Sequence, residues 1–314
     1  MRVFYCDQHH IPLPAGHKFP MRKYRMLRDL LESDGIFTLE PAPEADAQTI
    51  ALAHDSAYVN KFLTGTLDAA AMRRIGFPWS EGLVHRTLAS AGGTLAATRD
   101  ALETGIGGTL SGGTHHAFRS EGSGFCVFND VAIAIHTLRS QGRRERVAVV
   151  DLDVHQGDGT AHFFEHDPDV LTLSLHGANN FPFRKQRSRI DVELPDKTAD
   201  AAYLEALDAA LLRVWEFDPR LVFYLSGVDA LETDVLGRLS LTGEGLASRD
   251  RRVIGAAHAR AVPLVITLGG GYSNPIERTV DAHANTFRIA ARTFAAAPIN
   301  SDVRAATRQG ANSK

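Results

Sequence analysis

Residues 147–159, VAVVDLDVHQGDG, run an apolar segment straight into four groups able to bind a metal or move a proton: Asp151, Asp153, His155 and Asp158. In an extended chain side chains alternate, so Asp151, Asp153 and His155, at i, i+2 and i+4, share one face. Carboxylates crowded at the end of an apolar strand each cost on the order of several kcal/mol unless protonated, paired or bound to a cation. A metal site is the economical answer. The bland alternative is a loop whose aspartates cap a helix starting near Asp158. Asp229 follows another apolar run, 221–225, with no cation beside it in sequence, and is the candidate third ligand. Asp153, His155 and Asp229 supply one nitrogen and two carboxylate oxygens, a set suited to a zinc ion with a position left open for water and substrate. An open position belongs to catalysis rather than to structure.

Water activated by a metal still benefits from a base, and a histidine held in one tautomer by a carboxylate is the natural one. His115 and His116 are two candidates, with Asp151 and Asp158 as their orienting partners. A His-His pair alone is a weak signal and more often structural or solvent-exposed. Tyr272 follows Gly269, Gly270 and Gly271, which let the backbone turn sharply, and its hydroxyl could donate to an oxyanion. The glycines could instead cradle a phosphate, but Pro275 and the lack of a following Lys-Ser/Thr argue against a nucleotide loop.

These groups need a scaffold. Short runs rich in Val, Ile and Leu predict strands at 2–6, 106–111, 147–152, 170–175, 221–226 and 264–268, most of them covered on both faces. Helices are expected at 20–33, 82–103, 129–140, 199–216, 242–260 and 275–296, the first three stopped by Gly35, Gly105 and Gly142. Strand alternating with helix implies an α/β protein: one domain over residues 1–299, with a central, mostly parallel sheet flanked by helices on both faces. Ligands of such sheets bind beyond the carboxyl ends of the strands. The segments GGTHHAF (112–118), DVHQGDG (153–159), SLHGANN (174–180), SGVDALETD (226–234) and GGGYSNP (269–275) all follow strands and converge on that rim. The polar stretch from about residue 300 to 314 has no apolar face and reads as a frayed tail.

Bulk properties narrow the function. A chain of 314 residues with 44% hydrophobic and 23% charged residues can bury a large core and is ordinary globular protein. A formal charge of −3 provides no basic field, which argues against nucleic acid as the main partner. The short basic runs from Arg22 to Arg28 and from Arg249 to Arg252 read as solvated helix faces. Two cysteines cannot build a disulfide framework, no apolar run reaches about 18 residues, and the first residues read as a strand rather than a signal peptide. A cytoplasmic, membrane-free protein is expected. Of the fourteen histidines, His54, His85, His136 and His258 fall in helical stretches without chemical neighbours and read as structural.

The blocks GGTHHAF, GSGFCVFND, DLDVHQGDGT, LSLH, SGVDALETDVLGRLSLT and LGGGYS, in this order over roughly residues 107–275, resemble the zinc-dependent histone deacetylase family with its arginase/deacetylase fold. Gln156, where many members carry a second histidine, and DALETDVLGRLSLT look most like the class IV branch and its bacterial relatives. The resemblance implies one zinc ion on Asp153, His155 and Asp229. It makes His116 the general base, oriented by Asp158, and His115, paired with Asp151, an electrostatic element and second proton carrier. Tyr272 becomes the oxyanion donor. Gly124 offers its carbonyl to the substrate amide, and Phe125 and Phe181 wall a narrow acyl-lysine channel. The resemblance also implies potassium or sodium: one ion on Asp151, Ser174 and Leu175 with the carbonyls of Asp153 and His155, a second on carbonyls of Phe164, Asp167 and Val170. The substrate is then an acyl-lysine peptide or protein, or a small acyl amide, with a long acyl chain hinted at by the class IV likeness. Relatives preferring acetylated polyamines carry an acidic residue seven positions after the last zinc aspartate. Here that position is Leu236, which does not attract a distal ammonium. A binding protein that lost the chemistry and a two-metal arginase-type hydrolase are the rivals. The intact residue set argues against the first, and His115-His116 in place of extra aspartates against the second. Oligomeric state is not encoded in any of these motifs.

Overall fold

A computed structural model of the chain describes residues 1–295. The tail expected from residue 300, and Ala296 at the end of the last expected helix, lie outside them. Eight strands form one sheet: β1 (Arg2–Tyr5), β2 (Thr38–Pro41), β3 (Ile106–Thr109), β4 (Val147–Asp151), β5 (Val170–Gly177), β6 (Ile190–Leu194), β7 (Leu221–Leu225) and β8 (Leu264–Thr267). Every neighbouring pair is parallel, in the order β2-β1-β3-β8-β7-β4-β5-β6. The six expected strands form within two residues of the expected ends. The two unforeseen ones, β2 and β6, are the sheet edges. Each has polar residues exposed along it, Thr38 in β2 and Asp191 and Glu193 flanking the half-buried Val192 in β6, so neither shows the continuous apolar run of a central strand.

Ten helices occur among the described residues: α1 (Arg22–Ser33), α2 (Ala47–Ile50), α3 (Ser56–Leu63), α4 (Ala69–Ile75), α5 (Glu81–Thr104), α6 (Asp130–Ser140), α7 (Asp158–Phe164), α8 (Asp200–Glu216), α9 (Gly243–Ala259) and α10 (Glu277–Ala295). Strand alternation splits the core in two. Ala148, Val150, Val222 and Tyr224 pack with α1, α8, α9 and α10 on one face, and Val147, Val149, Leu221 and Phe223 pack with the helices from α2 to α7 on the other. The short helices α2, α3 and α4 were not legible as periodic segments. Each nevertheless starts on an aspartate, Asp46, Asp55 or Asp68, whose carboxylate accepts the amide three residues on.

Two readings of surface groups are corrected. Arg249 is fully buried, not solvated: it pairs with Asp250 at 2.9 Å and donates to the carbonyls of Leu152 and Gly227. Asp250 in turn accepts from the Tyr224 and Thr286 hydroxyls. One arginine thus clamps the backbone where the chain leaves β4 and β7. Lys23, inside the other basic run, is also buried, whereas Arg22 and Arg25 are exposed as expected. His54 lies before α3 rather than within a helix. Its Nε2 accepts the amide of Asn129, and its Nδ1 donates to the carbonyl of Arg119. Asn129 caps α6 through the amide of Ala132 and donates to the Thr160 hydroxyl.

Replacing Arg249 by Met would leave Asp250 buried without its cation, a loss of about 3–5 kcal/mol of stability; urea unfolding of R249M against the parent measures it. Burial lowers the His54 imidazole to about 4 from its usual 6.5. The unfolded chain therefore binds this proton first as pH falls. The contribution is whole above pH 6.5 and is lost between 6.5 and about 4, on the order of 3 kcal/mol for this one group. Urea midpoints measured from pH 7 to 4 should fall less steeply, by one proton, in H54N; an unchanged slope would refute the assignment.

Candidate active site

β4 ends at Asp151, and residues 153–155 bend, so the single strand face expected for Asp151, Asp153 and His155 does not extend past the first of them. The bend divides the labour. Asp151 turns to His115, accepting from its Nδ1 at 2.7 Å, while Asp153 and His155 turn to Asp229. The donor atoms of Asp153, His155 and Asp229 all lie within 4.8 Å of one another. His155 Nδ1 stands 2.9 Å from Asp153 Oδ1 and 3.1 Å from Asp229 Oδ2. Backbone amides hold the same carboxylates: Asp229 Oδ1 accepts the amide of Val154 at 2.9 Å, Asp153 Oδ1 that of His155 at 3.0 Å, and Asp153 Oδ2 that of Gly270.

Both carboxylates are buried, and the electrostatics follow. Burial and the neighbouring Asp153 push Asp229 up to about 7. Burial works against a charged His155, yet the two carboxylates outweigh it and raise the imidazole to about 10. The centre demands positive charge between its carboxylates. One nitrogen and two carboxylate oxygens converging on one point fit a divalent cation of the zinc type.

His115 and His116 follow β3 through a glycine turn, their rings 4.1 Å apart. Each has its own carboxylate at 2.7 Å: Asp151 for His115 and Asp158, the first residue of α7, for His116. Their charges diverge. Burial and the adjacent His115 lower His116 to about 4, despite Asp158. Burial also opposes charge on His115, but Asp151 prevails and raises it to about 9. One imidazole is neutral and able to accept a proton; the other is cationic. Asp130 holds the loop that carries them, accepting from the amides of Gly113 and Thr114 and from the Thr114 and Thr94 hydroxyls.

A cavity of about 800 Å³ opens over this floor, lined by Gly124, Phe125, Phe181, Leu236 and Tyr272 among others. Gly124 has a left-handed backbone, φ +53°, and a Cβ there would meet the His116 ring at 2.7 Å. The Phe181 ring stands edge-on to His116 with centroids 4.9 Å apart, and Phe125 lies 6.4 Å from the Tyr272 ring. Burial pushes the Tyr272 phenol up, so it stays protonated and able to donate.

Several contributors had no sequence signal strong enough to single them out. Asp234 accepts the amide of Tyr272 at 2.6 Å and those of Leu236 and Gly237 at 2.8 Å, tying the two loops together. Lys23 puts its ammonium 3.3 Å from the Gly271 carbonyl and 5.3 Å from the centre of the Tyr272 ring. Gln156, already noted in the sequence where many members carry a second histidine, bonds the backbone of Gln186 on both sides, and also Asp191. Of the expected monovalent-cation residues, Ser174 sits opposite Asp151 in the sheet register, its hydroxyl 2.9 Å from His176 Nδ1, with Leu175 next along β5. Phe164, Asp167 and Val170 share the turn from α7 to β5, where the Asp167 amide donates to the Phe164 carbonyl and the Asp167 carboxylate pairs with Arg139. No helix among the described residues is long and apolar enough to cross a membrane.

Fold and site together define a parallel-sheet α/β protein with a metal-competent three-donor centre beside two carboxylate-paired histidines. The histone deacetylase domain matches residues 17–287. The chain belongs to the histone deacetylase family, and its chemistry is that of a deacetylase-type hydrolase. It is 44% identical over 292 residues to an uncharacterized protein of Picosynechococcus, covering 92% of this chain and 97% of that one. It is 32% identical over 279 residues to histone deacetylase 2 of Arabidopsis thaliana, covering 84% and 72%. To a histone deacetylase-like amidohydrolase of Pseudomonas aeruginosa it is 31% identical over 283 residues, covering 83% and 74%.

A Cβ on Gly270 would lie 1.8 Å from Asp229 Oδ2, so the loop tolerates no side chain there. Gly270→Ala should lose about 1–3 kcal/mol, as overpacked sites do, read from urea unfolding; a neutral result would mean that the loop is free to move.

Proposed function

We propose that the protein is a zinc-dependent hydrolase that removes an acyl group from an N-acyl-lysine or a similar acyl amide. The observation that carries this reading is the pair of buried histidines, each locked to its own aspartate at 2.7 Å, beside a three-donor cluster at the floor of one cavity. Asp153, His155 and Asp229 would hold the ion. When bound, zinc supplies Lewis acidity toward the acyl carbonyl and toward water.

The chain's own groups do the rest. His116, neutral and with Nδ1–H committed to Asp158, presents Nε2 to accept the proton of the attacking water and then to pass it to the departing amine. His115 keeps its charge through Asp151 and stabilises negative charge nearby. Tyr272 donates its hydroxyl to the acyl oxygen as charge grows there. Gly124 offers its carbonyl to the substrate N–H, with Phe125 and Phe181 as channel walls and Leu236 at the mouth. A potassium or sodium ion on Asp151, Ser174 and Leu175 would reinforce the floor, and a second on Phe164, Asp167 and Val170 the turn beyond it. The printed name of the Pseudomonas relative, an amidohydrolase, supports amide cleavage. The aliphatic Leu236, in place of a carboxylate, favours acyl-lysine over acetylpolyamine.

The test is turnover of fluorogenic acyl-lysine peptides from acetyl to myristoyl, beside N-acetylputrescine, by zinc-loaded protein. His116→Ala should abolish cleavage, and Tyr272→Phe should lower turnover by about 10²–10³. Zinc binding at one equivalent without turnover of any substrate would leave a binding protein in place of the enzyme.

A further inference from the structure

The charged groups lining the cavity are strongly asymmetric: Lys23, Arg73, Arg74, Arg86 and Arg238 against a single carboxylate, Asp153. Asp153 belongs to the three-donor cluster, so no carboxylate is left to meet an incoming cation. Three of the arginines are at the mouth. Arg73 and Arg74 form the last turn of α4, and the backbone there bonds directly to the channel wall: the Gly124 amide donates to the Arg74 carbonyl and the Phe125 amide to that of Ile75. Arg238 belongs to a separate segment of the lining, the one around Leu236 and Phe181. Its amide donates to Asn180, next to Phe181, and Asn180 in turn donates to the carbonyl of Leu236.

The nearby acids do not cancel this field. Arg74 meets Glu121 at 3.3 Å and Arg238 meets Asp196 at 3.3 Å, but both pairs are largely exposed, hold one edge of each guanidinium and are weak. Arg73 pairs with no carboxylate among the described residues. Asp234, the acid closest in sequence to Leu236, is turned inward onto three amides. A guanidinium presents five donors in a fixed fork that matches a carboxylate, so the arginines retain capacity for one.

We propose that the amine half of the substrate is anionic: the cleaved acyl amide carries a carboxylate beyond its scissile nitrogen, received between Arg73 and Arg74 on one segment of the lining and Arg238 on another. This rests on the deacylase reading above and specifies its substrate class. A polycationic tail or a polyamine enters against the field. The carboxylate comes from an acidic flank of a peptide or from a small N-acyl amino acid, and the assay separates the two.

Two matched pairs read it out: acetyl-lysine peptides flanked by Asp or by Lys, and N-acetyl-4-aminobutyrate against N-acetylputrescine. The anionic member should be favoured about tenfold in kcat/KM at low salt, the ratio shrinking several-fold at high ionic strength as charges at the mouth are screened. The pair with the larger kcat/KM identifies peptide or small molecule. In R73E/R238E the ratio should fall below one. Being measured within one sample, the ratio is insensitive to the folded fraction. Equal or reversed preference in the parent, or an unchanged ratio in the variant, overturns the proposal. An Ala-flanked acetyl-lysine peptide separates the failures: if it and every other substrate resist cleavage, the deacylase reading falls. The order of dissociation constants of the same peptides for His116→Ala protein then still decides the charge preference.

Discussion

Asp151, Asp153 and Asp229 leave the ends of two neighbouring central strands almost free of water, and their mutual repulsion is what the surrounding structure must manage. They are handled by two routes. Asp151 is offset by the cationic His115, whereas Asp153 and Asp229 share His155 and a set of backbone amides that accept no substitute side chain at Gly270. The clamp of Arg249 on the carbonyls of Leu152 and Gly227 keeps the two strand ends together against that repulsion. Crowding carboxylates at this rim costs stability and leaves a three-donor centre able to hold a metal ion.

The same crowding explains how two adjacent histidines acquire opposite roles. Their rings are 4.1 Å apart, and both are buried beside an aspartate, yet only one can be charged cheaply at that distance. Asp151 and the nearby carboxylates favour charge on His115, which then suppresses charge on His116. An imidazole that stays neutral at neutral pH is obtained from position alone. Tyr272 follows a parallel logic, since burial keeps its phenol protonated while Asp234 and Lys23 fix the loop that carries it.

Above this floor the walls are aromatic and the rim is basic, an arrangement built from α4, the 123–125 segment and the loops around Phe181 and Leu236. Family membership accounts for the floor. The rim is where the proposed preference for an anionic substrate would be set.

Much of this was legible in the residues. Six continuous apolar strands, the helices between them and the convergence of polar segments on the carboxyl rim follow from periodicity, because strands covered on both faces leave an unbroken apolar signal. The clustering of Asp153, His155 and Asp229 followed from carboxylates set against apolar runs. Edge strands β2 and β6 were hidden because a strand with polar residues along it looks like a loop, and the helices from α2 to α4 because they are too short for a period to show. The solvated reading of Arg249 and Lys23 failed for a different reason: burial of a cation depends on carbonyls and carboxylates distant in the chain. The family resemblance had already paired Asp151 with His115 and Asp158 with His116; what tertiary structure decided is the bend after Asp151, which breaks the alternation that placed Asp151, Asp153 and His155 on one face. Tertiary structure alone also brought arginines from distant segments to one mouth, because side-chain types are written in the chain while their distances are set by packing.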